Sequence, residues 1–156
     1  TIVESVIEAN DNRKKAMAAR VIAACGSAVD GLTLAVLGVT FKPNTDDMRE
    51  APSLDIIPAL IEAGAHVRAY DPEGMEEAKK LIDGVDWCDG SYETLQGADV
   101  LTIITEWNEF RALDLDRVKS LMKTPIMVDL RNVYSPDEMV ELGFKYHGVG
   151  RRVPVG

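Results

Sequence analysis

The feature that most restricts the fold of this chain is a buried strand running into a charged loop and then into a proline-started helix. Leu32 to Thr40, LTLAVLGVT, is an apolar run with β-branched residues and a glycine near its end. Phe41 to Ala51 is polar and carries Lys42, Asp46, Asp47, Arg49 and Glu50. Pro52 suits the first turn of a helix, which Leu54, Ile57, Leu60 and Ile61 continue to Gly64. In an open α/β sheet, ligands gather at the carboxyl ends of strands. The charged loop is therefore the first place to look for function.

The same alternation continues to the end of the chain. Strands are expected at Leu32–Thr40, His66–Tyr70, Val85–Cys88, Val100–Thr105, Ile126–Leu130 and Phe144–Gly148. Helices are expected at Ser53–Ala63, Gly74–Ile82, Tyr92–Gln96, Asn108–Met122 and Pro136–Leu142, with a kink or lost hydrogen bond at Pro58. Ahead of them, Thr1 to Ala24 forms an amphipathic pattern, with Ile2, Val3, Val6 and Ile7 on one face and Gly26 as a stop. The predicted fold is α/β: a doubly wound, mostly parallel Rossmann-like sheet behind a long amphipathic helix. That helix packs either on its own domain or on another domain or subunit.

Charge narrows the range of partners. A net charge of -9 with no long basic run argues against nucleic acid or an anionic membrane, while leaving room for a small anion held by a few placed cations. No apolar run approaches the roughly 20 residues of a membrane span. Cys25 and Cys88 have neither metal-ligand spacing nor a disulfide framework around them, so a reducing, cytoplasmic setting is expected. The chain starts at Thr1 on a helical pattern, which suggests a piece of a longer protein.

A dinucleotide-binding Rossmann domain would carry G-x-G-x-x-G after its first strand. Here the turn reads Gly38-Val39-Thr40-Phe41-Lys42-Pro43, one glycine followed by bulky residues. Asp71 stands where such a fold keeps its ribose-binding acid, but well beyond the roughly 20-residue spacing from the glycine turn, and a plain Asp-Pro turn is the favoured reading. Lys42 follows the first strand directly and places a cation where a phosphate or sugar oxygen can sit. Arg49 can fork onto a phosphate, or pair with Asp46 or Asp47. Asn44, Thr45 and Asp46 are turn formers with a structural default. At the fifth strand, Asp129 and Arg131 reach the same carboxyl edge, either to face a diphosphate or carboxylate with Lys42 or to pair with each other. Glu106 ends the fourth strand with no partner legible in sequence. His66 and His147 lack metal-ligand spacing and default to structural roles, while Arg151 and Arg152 can contact anions, with a solvated tail the favoured reading.

These residues carry a resemblance. GVTFKPNTDDMREAPSLDIIPALIEAGAHVRAYDP, ADVLTIITEWNEFRALD and IMVDLRNVY closely resemble the carboxyl-terminal domain of UDP-glucose 6-dehydrogenases, within the UDP-glucose/GDP-mannose dehydrogenase family. The match spans about Leu32 to Gly150, and the leading helix is similar to the end of that family's central, dimer-forming helix. The resemblance implies residues 1–26 as the end of that connecting helix and residues 27–156 as a Rossmann-like UDP-sugar-binding domain. It implies oxidation of a nucleotide sugar at C6 to a uronic acid in two NAD-dependent steps. NAD would be bound mainly by an amino-terminal domain outside these residues. The catalytic cysteine would lie outside them too, since neither Cys25 nor Cys88 has the matching context. It assigns Phe41, Lys42 and Arg131 to the UDP-sugar and Arg49 to the NAD side. A homodimer through the leading helix is the implied assembly. Enzymes for GDP-mannose or UDP-N-acetyl-mannosamine share much of the pattern, and TFKPNTDDMRE fits UDP-glucose best. Two other readings stand beside this one. One is a non-catalytic nucleotide-sugar-binding or oligomerisation module, and the other an independent NAD-binding domain using Asp71.

Overall fold

The computed structural model describes residues 15–26 and 28–148. Residues 15–24 form helix α1, which buries Ala18, Val21 and Ala24 at three-residue spacing and closes on a turn at Gly26, φ +83°. The expected apolar face at Ile2, Val3, Val6 and Ile7 lies outside the described residues.

Six parallel strands follow: β1 (Thr33–Leu37), β2 (His66–Tyr70), β3 (Asp86–Trp87), β4 (Val100–Ile103), β5 (Ile126–Asp129) and β6 (Lys145–Gly148). They lie in the order β3-β2-β1-β4-β5-β6, the doubly wound order whose reversal point falls between β1 and β4. Leu37 is level with Ile103, and Ile103 with Asp129. The carboxyl ends of β1, β4 and β5 therefore form one continuous edge.

Alternation along the strands makes two cores. On β1, Leu34 and Val36 join Val21, Ile56, Ile57 and Leu60 on one face, while Ala35 and Leu37 join Phe110, Met127 and Tyr146 on the other. A strand apolar on both sides requires helices on both sides. They are α2 (Ser53–Glu62), α3 (Met75–Leu81), α4 (Ser91–Leu95), α5 (Asn108–Arg111), α6 (Leu115–Leu121) and α7 (Pro136–Glu141).

Two expectations are refined. The run from Asn108 to Met122 is two helices, because Asp114 leaves helical geometry and caps α6, its side chain accepting from the Arg117 N–H at 3.2 Å. Pro58 lies inside α2 on its exposed side, where water can satisfy the carbonyl that its missing N–H leaves unpaired. The remaining elements agree with expectation to within a residue or three at each end.

Candidate functional site: the carboxyl edge of the sheet

β1 stops at Leu37 because Gly38 has φ +86°, and a Cβ there would come within 2.6 Å of the Thr105 Cβ. Only glycine lets the chain turn so close to the end of β4. Beyond it the loop is pinned rather than open. Val39 N–H and Thr40 N–H donate to Asp71 Oδ2 at 2.8 and 3.3 Å. Thr105 Oγ1 donates to the Thr40 carbonyl at 2.7 Å, and Ser53 Oγ donates to the Val39 carbonyl.

Asp71 is the hub of this arrangement. It is fully buried, and its second oxygen accepts from Glu73 N–H at 2.9 Å and Gly74 N–H at 2.7 Å. The Asp-Pro turn is present as expected. The same carboxylate also staples the β2–α3 turn to the β1 loop, a role that sequence did not reveal. Both oxygens are spent on backbone amides, so the acid is not presented to a ribose.

Past Thr40 the loop folds back on itself. Phe41 N–H donates to the Asp47 carbonyl at 3.1 Å, Asp47 N–H donates to Thr45 Oγ1 at 3.1 Å, and Asn44 and Glu50 take positive φ. Met48 and Ala51 anchor it in the core. Two side chains at its root face solvent: Phe41, 42% exposed, and Lys42, which makes no ion pair among the described residues. Asn44 and Thr45 do the structural work expected of turn formers, and Lys42 is left outward.

Arg49 is engaged. Its Nε and Nη2 fork onto both oxygens of Asp47 at 3.0 and 3.1 Å, and its backbone N–H adds a third bond at 2.9 Å. This guanidinium holds the Asp47 carboxyl below the usual carboxylate range. Arg49 and Asp47 line an open cavity of about 540 Å3 between the loop, α2 and α3, with Asp46 and Glu77 beside them.

At the ends of β4 and β5 the Arg131 side chain does not make the expected pairing with Asp129. Its guanidinium donates to Glu106, Nε to Oε2 and Nη2 to Oε1, the latter at 3.0 Å. Asp129 accepts only the backbone N–H of Arg131, at 3.1 Å, plus Tyr134 N–H at 3.0 Å and the Tyr146 hydroxyl at 2.7 Å. It is fully buried and serves as the staple of the β5–α7 turn. The partner of Glu106, unreadable along the chain, follows from strand order: β4 and β5 are neighbours, and each residue lies just past its strand's end. Arg131 in turn lowers the Glu106 pKa, chiefly by hydrogen bonding.

The edge thus presents Phe41 and Lys42 after β1, then the Glu106–Arg131 pair across β4 and β5. Residues 35–136 match the family described as UDP-glucose/GDP-mannose dehydrogenase family, UDP binding domain. The chain belongs to that family. It is 58% identical over 150 residues to the UDP-glucose 6-dehydrogenase of Rhizobium meliloti, covering 96% of this chain and 34% of that protein. Among solved structures, it is similar to an NDP-N-acetyl-D-galactosaminuronic acid dehydrogenase from Methanosarcina mazei, with TM-score 0.84 and 29% identity over 97% of this chain and 32% of the other. A UDP-glucose dehydrogenase from Pyrobaculum islandicum gives TM-score 0.76 and 28% identity, covering 96% and 32%. The chain therefore spans about a third of the length of the relatives it matches.

Membership also accounts for the missing glycine signature. Bulky Val39, Thr40 and Phe41 and the buried Asp71 leave the first turn of this UDP binding domain unfit for a dinucleotide pyrophosphate. No cluster of His, Cys, Asp and Glu suited to a metal exists among the described residues, and no described helix is long and apolar enough to cross a membrane.

Proposed function

We propose that this chain is the UDP-sugar-binding part of an NAD-dependent UDP-glucose 6-dehydrogenase, one that converts UDP-glucose to UDP-glucuronate in two oxidations. The observation that carries the reading is the placement of Lys42 and Arg131 at the carboxyl ends of β1 and β5, in a family matched through its UDP binding domain. Lys42, outward and without an ion pair among the described residues, supplies a point charge for a phosphate. Arg131 supplies a planar fork. Phe41 adds exposed apolar surface beside them for the nucleotide sugar. Relatives named for different sugars share this domain, which suits recognition of the nucleoside diphosphate they have in common.

No residue of this chain is assigned to the oxidation itself. NAD, which accepts the hydride when bound, belongs mainly to an amino-terminal domain, and Arg49 reaches it from this side. Reaching it requires Arg49 to exchange Asp47 for a phosphate, a like-for-like swap of bidentate acceptors. Residues 1–26 act as the end of a connecting helix that pairs two subunits, and residues 27–156 as the binding domain, working in the cytoplasm.

Amide-shift NMR of this chain, titrated separately with UDP and NAD, tests the reading. Shifts with UDP at Phe41–Arg49 and Asn132 are expected. Shifts with NAD centred on Gly38 and Asp71, without a UDP response, would instead mark an independent dinucleotide-binding domain.

A further inference from the structure

Glu106 and Arg131 form the ion pair that bridges the ends of β4 and β5. Both stems are fixed before the side chains meet. Arg131 follows Asp129, whose buried carboxylate gathers the Arg131 and Tyr134 amides and the Tyr146 hydroxyl, and Asn132 beyond it turns at φ +54°. Glu106 lies between Thr105, bonded to the β1 loop, and Trp107, buried in the core. The side chains themselves keep 34% and 24% exposure, so the pair is reachable from solvent.

A guanidinium has five N–H donors arranged as two forks. Glu106 takes the fork made by Nε and Nη2. The other fork, from Nη1 and the second Nη2 proton, has no protein acceptor among the described contacts of Arg131. A long side chain tethered by one fork has already lost the rotamer freedom that binding would otherwise remove.

Building on the nucleotide-sugar reading above, we infer that Glu106 is the positioning residue of this site: it holds Arg131 so that the second fork meets a phosphate of the nucleoside diphosphate. The opposite role, a counter-ion that phosphate displaces, predicts the reverse effect of its removal. Positioning means that losing Glu106 weakens binding, whereas displacement means that it tightens binding.

UDP titrations of this chain followed by 1H–15N NMR separate the two, with the Arg131 side-chain Nε–H signal as an independent readout. E106A should weaken UDP about ten-fold, the equivalent of one charge-assisted bond. E106Q, which keeps one acceptor oxygen, should recover part of that loss. In an R131A background, E106A should change UDP affinity by less than about two-fold, because the effect runs through Arg131. The Nε–H signal should be sharp in the wild type and exchange-broadened in E106A. Tighter UDP binding by E106A, or an undiminished effect in R131A, overturns the inference. If the wild type shows no UDP response, the nucleotide reading fails, and persistence of a sharp Nε–H signal in E106A would separately refute the positioning.

Discussion

Replacing Asp71 by Asn is a severe test of how this edge is built, because it changes one atom and a charge with almost no change in volume. Oδ2 accepts from Val39 N–H at 2.8 Å and Thr40 N–H at 3.3 Å, and Oδ1 accepts from Glu73 N–H at 2.9 Å and Gly74 N–H at 2.7 Å. The site is fully buried, so water cannot substitute. Whichever way the amide turns, its NH2 confronts two backbone donors, and one half of the staple is lost. Two hydrogen bonds to a charged group, at about 1.5–3 kcal/mol each, put the loss at roughly 3–6 kcal/mol. That is a large share of the about 5–15 kcal/mol by which a domain is stable. Urea unfolding of wild type and D71N, with D83N as an exposed control, reads the difference through the midpoint at constant m. D83N should stay within about 0.5 kcal/mol, as for ordinary surface changes. A D71N loss below about 1 kcal/mol, on a scale where one neutral bond contributes that much, would refute the staple. So would equal losses for the two variants.

Gly38→Ala should destabilise by about 2–4 kcal/mol, from left-handed strain plus overpacking against Thr105, and calorimetry will read it as a drop in Tm. If Lys42 and Arg131 share one diphosphate, Lys42→Ala and Arg131→Ala should each weaken UDP binding by about 1.5–3 kcal/mol, and the double variant by less than their sum; strictly additive small losses in isothermal titration would argue against a shared ligand. The Glu106 pKa lies below its ordinary value of 4.5 when folded, because of Arg131. A depressed carboxyl stabilises above its unfolded pKa and loses that contribution as pH falls through the folded value. The stability gap between wild type and E106Q should therefore be flat above about pH 5 and close on acidification below the unfolded value, which urea midpoints across pH will show.

Much of the fold was legible because it rests on one-dimensional signals. The apolar run at Leu32–Leu37, the helix started at Pro52, and Gly64 at its end each depend on neighbours along the chain. So does the choice of an α/β sheet over other classes. Lys42, Arg49 and Arg131 were legible as candidates for the same reason, each following the end of a strand or lying in the loop beyond it, whereas Phe41 was named by the family resemblance alone. The split of Asn108–Met122 rests on a local signal too, since Asp114 is a ready helix cap three residues before Arg117.

What only the tertiary structure decided is which polar group answers which. Arg49 chose Asp47, two residues away, and the sequence offered that option. Arg131 chose Glu106, a residue on a different strand, over Asp129, its near neighbour along the chain. The reason is burial. Asp129 and Asp71 lie where no water reaches, so backbone amides with no other acceptor claim their oxygens first. Arg131 is left to a carboxylate that chain order hides and strand order β1-β4-β5 brings alongside. Periodicity along the chain fixes which elements form and which edge carries the candidate site. The pairing of charges on that edge depends on strand adjacency and on the demand of buried amides, both of which exist only once the sheet has closed.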